Sequence, residues 1–364
     1  MSDRHGHRRA RTWEMLSARD PGAAALIVTS LPNIRYLTGF SGSNAVLLLT
    51  GDGALLGTDG RYVVQAGAQC PDLPLIVDRV TMPAVVAQWA QRSGGALAFE
   101  AEHLSVAALR DLQSAIPDSA SVTFAETRGI VEECRVVKDA LELDLIARAC
   151  RISDDALAAI LPTVRVGDTE RTIARRLEAK MFALGADAIS FETIVAGGPH
   201  SAIPHHTPTD RPLEPGDFLL IDFGAEVGGY HADETRTFVM GLPQEWQSQT
   251  HALVLAAQEA GRLAARAGAA LADVDAASRS IIDASGHGEL FGHGLGHGVG
   301  LQIHEAPFFS ARSVGMLHGG SAVTVEPGVY FPGHGGVRIE DTVLVTNGPP
   351  EPLTTTERGL VALG

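Results

Sequence analysis

The chain has 364 residues, of which 45% are hydrophobic and 20% charged, and its formal net charge is -15 at pH 7. This length accommodates two domains, and the composition is that of an ordinary globular protein. The negative charge disfavours nucleic acid and anionic membranes as partners, and no stretch approaches the ~20 apolar residues of a membrane span.

The N-terminus and the cysteines indicate a cytoplasmic protein. The basic residues around Arg8 lead into polar Thr12 and not into an apolar segment, so we expect no signal peptide but a frayed, solvated tail. Cys70, Cys134 and Cys150 lie far apart and form no CxxC pair. We therefore expect free thiols in a reducing compartment.

Residues 1–128 are predicted to form a small α/β domain, because short strands alternate there with helical stretches. The strands are expected at 45–50, 54–58, 75–77 and 96–99, and the helices at 83–91 and 106–115. The charged stretch that follows has no clear periodicity. We take residues 129–138 as an irregular linker.

The second predicted domain, residues 139–364, opens with helical periodicity. Apolar residues recur every three or four positions between Asp139 and Pro162, at Leu141, Leu145, Ala149, Ile152, Ala156 and Ile160. A second helix follows the start signal at 167–170, and further helical patterns occupy 250–267 and 274–284. We predict helices packed outside a mainly antiparallel, strongly bent sheet.

Two aspartates fall in a predicted hairpin. Residues 216–239 have the pattern of strand, turn and strand, with the reversal at Val227 and Gly228. In a hairpin centred there, Asp222 and Asp233 lie opposite each other on one face with Cβ atoms ~5 Å apart, where like charges destabilise a sheet. We therefore expect a cation between them.

An alternating glycine series follows, at Gly292, Gly294, Gly296, Gly298 and Gly300. It lacks the strand and helix context of a GxGxxG phosphate-binding loop. The series is better explained by a backbone that lies close beneath a crowded metal site, where no Cβ fits.

Two glutamates repeat the arrangement of the aspartates. Residues 323–345 turn around Gly333, and Glu326 and Glu340 are equidistant from it. Pro327 cannot donate to a ladder and should mark a bulge or an edge. Carboxylates that interrupt apolar strands cost several kcal/mol if buried without a partner. Four of them with one imidazole suit two divalent ions better than one structural zinc.

The motifs around these carboxylates resemble a known family. The stretches LLIDFGAEVGGYHADETRTF, FGHGLGHGVGLQIHEAP, VTVEPGVY and GGVRIED are similar to those of the pita-bread metallopeptidases, in the branch of Xaa-Pro aminopeptidases and dipeptidases. Ahead of them, LPNIRYLTGFSGSNAVLLLT and LGTDGRYVVQA resemble the creatinase-type N-terminal domain of that branch. The resemblance implies an α+β fold in which a smaller creatinase-like α/β domain precedes a pita-bread catalytic domain.

The resemblance also implies roles for individual residues. The implied metal ligands are Asp222, Asp233, His297, Glu326 and Glu340, with Asp233 and Glu340 reaching both ions. The implied catalytic residues are His205 and His304, which would contact the substrate, Glu326, which would move a proton, and Arg338, which would steady the carboxylates or the substrate.

We therefore predict a two-metal exopeptidase that acts on peptides with proline at the second position, as an Xaa-Pro aminopeptidase. Manganese is favoured over cobalt, zinc or iron, and the chain is expected to form a homodimer or homotetramer.

An Xaa-Pro dipeptidase with the same site is the alternative. Relatives often carry a basic residue after the HEAP stretch, which in dipeptidases can hold the substrate carboxylate. Phe308 stands there, although Arg312 is near. A non-peptidase pita-bread hydrolase or binding protein is a remoter alternative.

Overall fold

The computed structural model describes residues 4–91, 94–116 and 121–364. Its contacts divide the chain into two compact units, Met1–Arg135 and Val136–Gly364. Across the described residues, no helix is both long enough and apolar enough to cross a membrane.

The first unit contains a six-stranded sheet with helices around it. Its strands are β1 Ala23–Val28, β2 Ala45–Thr50, β3 Gly53–Thr58, β4 Leu75–Val77, β5 Gly95–Glu100 and β6 Val122–Thr127. Its helices are α1 Arg4–Arg19, α2 Leu31–Thr38, α3 Val63–Gln69, α4 Thr81–Ala90, α5 Val106–Ala115 and α6 Ile130–Val136. The sheet order is β4-β3-β2-β1-β5-β6. Parallel and antiparallel pairs are mixed, as expected for an α/β layer.

The basic N-terminal segment is a helix, and the prediction of a frayed tail is wrong. One face of α1 is buried at Arg8, Thr12 and Leu16. The Arg8 guanidinium lies 4.0 Å from the centre of the Tyr36 ring and donates a hydrogen bond to the Tyr36 carbonyl over 3.0 Å. Arginine can bury its aliphatic stem while its charge finds an aromatic face. A run of basic residues is therefore compatible with a docked helix.

Residues 129–138 are not irregular either. Helix α6 occupies most of that segment, and its side chains Ile130, Val131 and Cys134 are buried. The segment thus packs like a structural element, because its apolar residues have a core to enter. The predicted limits of the two domains, 1–128 and 139–364, stay a prediction.

The second unit alternates helices and short strands. Its helices are α7 Ala140–Ile160, α8 Glu170–Ala183, α9 Glu245–Ala264 and α10 Leu271–Ala284. Its first strands are β7 Ala188–Ile189, β8 Ile194–Gly197, β9 Phe218–Phe223, β10 Ala225–Val227, β11 Tyr230–His231 and β12 Glu234–Met240. The later strands are β13 Gly296–Gly298, β14 Glu305–Phe309, β15 Ala322–Val325, β16 Gly328–Phe331, β17 Gly335–Arg338, β18 Asp341–Leu344, β19 Glu351–Pro352 and β20 Ala362–Leu363.

Two sheets form the centre of this unit, in the orders β20-β12-β9-β8 and β14-β13-β15-β18-β19. All their pairs are antiparallel except that of β12 with β20. Helices α7 and α8 pack against the first sheet, where Leu157 and Leu177 join the core with Ile221. Helices α9 and α10 pack against the second through Val254 and Val274. The prediction of outer helices on a mainly antiparallel sheet is confirmed.

Helix α7 begins where the sequence predicts. Asp139 caps it by accepting hydrogen bonds from the backbone amides of Leu141 and Glu142, and the Glu142 carboxylate accepts one from the Asp139 amide. Pro162 lies in the short 3-10 turn that ends the helix. Leu141 of the predicted apolar stripe is 49% exposed, because the buried face of α7 runs through Glu142 and Ile146 instead.

Candidate metal centre

The sequence-predicted site residues of the second unit line a single cavity of about 850 Å³. All eight of them contribute to its wall, namely His205, Asp222, Asp233, His297, His304, Glu326, Arg338 and Glu340. They come from five separate segments of the chain. The fold therefore brings together what the sequence separates by up to 135 positions between His205 and Glu340.

The first hairpin supplies two carboxylates in a register that differs from the predicted one. Asp222 pairs with Thr235 and not with Asp233. The turn lies at Gly228 and Gly229, both with positive φ, one position later than expected. Two successive glycines favour a two-residue turn with left-handed backbone. The resulting shift of two positions preserves the face of each side chain, so Asp222 and Asp233 still approach one another.

The second hairpin has the predicted register. Strand β15 pairs with β18 up to Val325 opposite Asp341, and β16 pairs with β17 from Gly328 opposite Arg338. Glu326 and Glu340 are the residues that follow and precede these pairs. Pro327 lies between β15 and β16, where the ladder is interrupted, as expected for a residue without an amide hydrogen.

Thr235 joins the two hairpins. It forms an isolated bridge with Glu340, and the Glu340 amide donates to the Thr235 carbonyl over 3.1 Å. The Thr235 hydroxyl donates to Oε2 of Glu340 over 2.6 Å. Because Thr235 also pairs with Asp222, this bridge places the carboxylates of the two hairpins next to each other. Sequence reasoning did not single out Thr235, although the alternation of Asp233, Thr235 and Thr237 assigns the three to one strand face.

His297 lies among the acidic groups. Its Nε2 is 3.5 Å from Oδ2 of Asp233 and 3.4 Å from Oε1 of Glu326. Ligand atoms from Asp233, His297 and Glu340 lie within 4.8 Å of one another. The other ring nitrogen, Nδ1, is 3.1 Å from the Gly298 carbonyl, which assigns it the proton. Nε2 therefore presents a lone pair to the cluster, as a metal-binding imidazole does.

The electrostatics of the cluster favour a cation. Burial, together with the negative charge of its neighbours, raises the pKa of Asp233 and the pKa of Glu340 well above their usual ranges. Burial and Asp222 raise the pKa of Glu326 to about 8. Burial and the neighbouring His304 lower the pKa of His297 to about 4. Carboxylates held this close cannot all be ionised without compensating positive charge, and divalent ions supply it.

Asp222 differs from the other three carboxylates because it has a fixed cationic partner. Nη2 of Arg338 donates to Oδ2 of Asp222 over 2.6 Å. Oδ1 of Asp222 is buried and has no hydrogen-bond partner among the described residues. That orphaned oxygen, together with the donor set around His297, fits divalent metal ions.

Arg338 itself is held by two neighbours that sequence reasoning missed. Its Nε donates to the Thr235 hydroxyl over 3.0 Å and its Nη1 to the Tyr330 hydroxyl over 2.9 Å. The Tyr330 hydroxyl lies 2.9 Å from Nε2 of His293, whose Nδ1 faces the Gly294 carbonyl. Tyr330 therefore donates to His293 and accepts from Arg338. The spacing of Tyr330 after Glu326 carries no signal that would have revealed this chain of hydrogen bonds.

Two histidines lie beside the acidic cluster. The His304 ring packs edge-on against that of His297, with centroids 4.4 Å apart, and burial and His205 lower the pKa of His304. His205 is exposed toward the cavity. Imidazoles in these positions can donate hydrogen bonds to a bound ligand.

Three glycines of the alternating series leave no room for a Cβ atom, as predicted. Added Cβ atoms at Gly294, Gly296 and Gly298 would lie 2.5, 2.2 and 2.3 Å from carbonyl oxygens of Phe309, Thr324 and Ala306. These carbonyls belong to β14, β15 and the residues beside them. Gly294, Gly296 and Gly298 thus allow the close approach of neighbouring strands, and a role of the series beneath a metal site stays a prediction.

Comparisons with known proteins agree with this architecture. Residues 144–347 match the model of metallopeptidase family M24, and residues 8–137 match that of the creatinase/prolidase N-terminal domain. Among curated proteins, an Xaa-Pro dipeptidase of Pyrococcus horikoshii is 40% identical over 238 residues, which is 65% of this chain and 68% of that protein.

Two solved structures match over nearly the full length. An Xaa-Pro dipeptidase from Bacillus anthracis has a TM-score of 0.93 at 35% identity, with 99% of this chain and 100% of that chain covered. An X-Pro aminopeptidase from Thermotoga maritima has a TM-score of 0.88 at 34% identity, with 98% and 99% covered. The fold is therefore shared both with a protein named a dipeptidase and with a protein named an aminopeptidase.

Proposed function

This chain belongs to metallopeptidase family M24, and we propose that it is an Xaa-Pro dipeptidase that uses two divalent metal ions. The observation that carries the peptidase assignment is the gathering of three buried carboxylates, the half-buried Glu326 and His297 in one cavity with His205 and His304. Two of the three relatives described above are named Xaa-Pro dipeptidases, and this supports the dipeptidase over the aminopeptidase favoured by the sequence.

The aminopeptidase stays the second candidate. The Thermotoga maritima protein, named an X-Pro aminopeptidase, covers 98% of this chain at a similar identity. Phe308, which lines the cavity and is 53% exposed, offers no charge to a substrate carboxylate. Arg312 follows cavity-lining Ser310 by two residues, and we assign it the C-terminal carboxylate of a dipeptide.

The proposed ligands are Asp222, Asp233, His297, Glu326 and Glu340. Carboxylate and imidazole donors suit manganese, cobalt, iron or zinc, and the carboxylate-rich set favours manganese. When bound, such ions supply a water of lowered pKa and a Lewis acid for the scissile carbonyl.

The chain's own residues perform the remaining steps. Glu326, at the edge of the cluster, accepts a proton from the attacking water and returns it to the leaving proline nitrogen. His205 and His304 donate hydrogen bonds to the carbonyl oxygen as negative charge develops on it. Arg338 holds Asp222 in place through the 2.6 Å contact. The apolar wall at Phe191, Phe308 and Ile303 keeps bulk water from the reacting groups.

The test is a comparison of two substrates. Metal-depleted protein is refilled with manganese, cobalt or zinc and offered an Xaa-Pro dipeptide and the matching Xaa-Pro-Yaa tripeptide side by side. We expect rapid hydrolysis of the dipeptide alone. Preference for the tripeptide would favour the aminopeptidase, and no hydrolysis with any metal would reject both.

Two controls sharpen this comparison. Glu340→Gln protein purified in the same way reports any contaminating peptidase. Arg312→Ala should raise KM for the dipeptide by about tenfold, since it removes one charge-assisted contact, and should leave a dipeptide amide unaffected. Light scattering on the same samples tests the expected homodimer or homotetramer.

A further inference from the structure

We propose that Glu170 is a positioning residue for His205. Its buried carboxylate fixes residues 197–209, here termed the His205 loop, and so holds the His205 ring at the cavity wall. The inference rests on the proposed function, in which His205 donates to the substrate carbonyl. Glu170 begins helix α8 and does not line the cavity.

Both oxygens of Glu170 are used by the loop. Oε1 lies 2.8 Å from the Gly197 amide and 2.8 Å from Nδ1 of His200. Oε2 accepts from Nε2 of His206 over 2.9 Å, and from the amide and hydroxyl of Thr209 over 2.9 and 2.7 Å. The contacts begin at the first residue of the loop and end at its last. One side chain therefore clamps both ends of the segment that carries His205.

The charge on Glu170 strengthens this clamp. Burial opposes ionisation, but hydrogen bonds from Gly197, His206 and Thr209 outweigh it and lower the pKa of Glu170 to about 2. The residue is 0% exposed. Hydrogen bonds to an ionised acceptor in such a place are about twice as strong as neutral ones.

The middle of the His205 loop is held from the opposite side. The Gly336 amide donates to the Ser201 hydroxyl over 2.9 Å, and Nη1 of Arg338 lies 3.3 Å from the Pro204 carbonyl. Across residues 4–91, 94–116 and 121–364, the His205 ring makes no hydrogen bond. Its location is therefore set by the loop backbone and not by partners of the ring.

A metal site is the competing explanation for this cluster, because ligand atoms of Glu170, His200 and His206 lie within 4.8 Å of one another. However, the Gly197 and Thr209 amides aim hydrogens at the same oxygens. The imidazole nitrogens that face Glu170 must carry protons to make their contacts, and a protonated nitrogen cannot bind a metal. The geometry is that of an anion surrounded by donors.

The chain offers a matched control for Glu170. Asp154 on α7 is also buried, and its carboxylate accepts hydrogen bonds from the amides and hydroxyls of Thr355 and Thr356. It therefore clamps a segment near the C-terminus in the way that Glu170 clamps the His205 loop. Glu170→Gln and Asp154→Asn remove comparable charges at different segments.

The first measurement is hydrogen–deuterium exchange, which requires no activity. In Glu170→Gln we expect exchange of peptides within 197–209 to accelerate by about tenfold or more, as for loss of a charge-assisted network, while peptides within 351–364 stay unchanged. Asp154→Asn should show the reverse. Unchanged exchange of the His205 loop in folded Glu170→Gln would overturn the proposal.

The second measurement is a double-mutant cycle with His205→Ala. Glu170→Gln should lower kcat for an Xaa-Pro dipeptide by about ten- to a hundredfold with KM within about twofold, because a displaced donor loses part of its effect on the transition state. In the His205→Ala background the same change should cost less than about twofold. Equal costs in both backgrounds would mean that Glu170 does not act through His205.

Three further outcomes are decisive. A third bound metal equivalent that Glu170→Gln or His206→Gln abolishes would replace the clamp by a metal site.

If Glu170→Gln does not fold, Thr209→Val, which removes one hydroxyl donor, should accelerate exchange of the same loop, and failure to do so would contradict the proposal. If the wild-type protein cleaves no Xaa-Pro peptide, the proposed function fails while the exchange result still decides the clamp.

Discussion

Arg338 lies against Asp222, with Nη2 of the guanidinium 2.6 Å from Oδ2 of the carboxylate. Both side chains are buried, at 4% and 12% exposure, so the pair is shielded from solvent. The contact distinguishes the two oxygens of Asp222, since Oδ1 has no hydrogen-bond partner among the described residues. One oxygen is thus held by a fixed cation, and the other is directed to a ligand.

Replacement of Arg338 by lysine should reveal this division. A lysine keeps the charge but cannot reproduce the planar set of contacts with Asp222, Thr235 and Tyr330. We expect kcat/KM to fall by about a hundredfold and metal affinity to change by about tenfold, in titrations followed by calorimetry. Arg262→Lys, which alters an arginine paired with Glu259 on the same helix, is the control. Unchanged kinetics in Arg338→Lys would refute the holding role.

Neutral replacement of Asp233 or Glu340 should remove metal. In Asp233→Asn or Glu340→Gln the donor set loses one ionised ligand, so we expect fewer than two metal equivalents by elemental analysis and no measurable turnover. Burial raises the pKa of each carboxyl well above its usual range, so the metal-free variants should melt no lower than metal-free wild type. Near-normal turnover in either variant would mean that the site is misassigned.

A control for these variants lies in the same hairpin. Glu226 on β10 is only half-buried, and its carboxylate is 3.7 Å from His231. Glu226→Gln removes one negative charge without touching the cavity, since Glu226 is not among the lining residues. We expect its metal content and its turnover to match those of wild type.

His304→Ala should separate metal binding from catalysis. The ring contacts that of His297 edge-on, with no nitrogen assigned to the metal cluster. We expect unchanged metal content with kcat lowered by about a hundredfold, as for loss of one donor to a developing oxyanion. A variant that purifies without metal would make His304 a ligand and would require a new division of roles.

The local parts of the site were predictable from the sequence. The second hairpin could be placed because Gly333 and the apolar strands around it fix one register, which then relates Glu326 to Glu340. The predicted turn of the first hairpin, at Val227 and Gly228, is one position too early, because a turn at Gly228 and Gly229 fits the same alternation of side chains. The predicted face of each side chain is still correct, because the register differs from the predicted one by two positions and side chains alternate with a period of two.

The parts that failed depend on contacts between distant segments. Thr235 and Glu340 are 105 residues apart, and Glu170 meets Thr209 across 39 residues. Neither pairing leaves a periodic pattern in the chain. The docking of α1 through Arg8 and Tyr36 likewise depends on a partner that a basic segment alone does not reveal.

A buried histidine on α9 should make stability depend on pH. His251 is 3% exposed and its Nε2 has no hydrogen-bond partner among the described residues. Burial and the nearby charge of Arg236 lower the pKa of His251 to about 4, from 6.5 in the unfolded chain. Between those values the unfolded state binds more protons than the folded state. The contribution of neutral His251 to the free energy of unfolding is therefore complete above pH 6.5 and is lost as the pH falls toward 4.

At about pH 5 this difference in pKa lowers the free energy of unfolding by about 2 kcal/mol relative to neutral pH. The decrease is measured by urea unfolding at about pH 7.5 and about pH 5, with chelator present so that metal release does not contribute. His251→Leu, of similar volume, should lose less stability than wild type between the two pH values. Gln249→Leu, an exposed position on the same helix, should behave as wild type does. An identical loss in His251→Leu and wild type would show that another group causes the acid sensitivity.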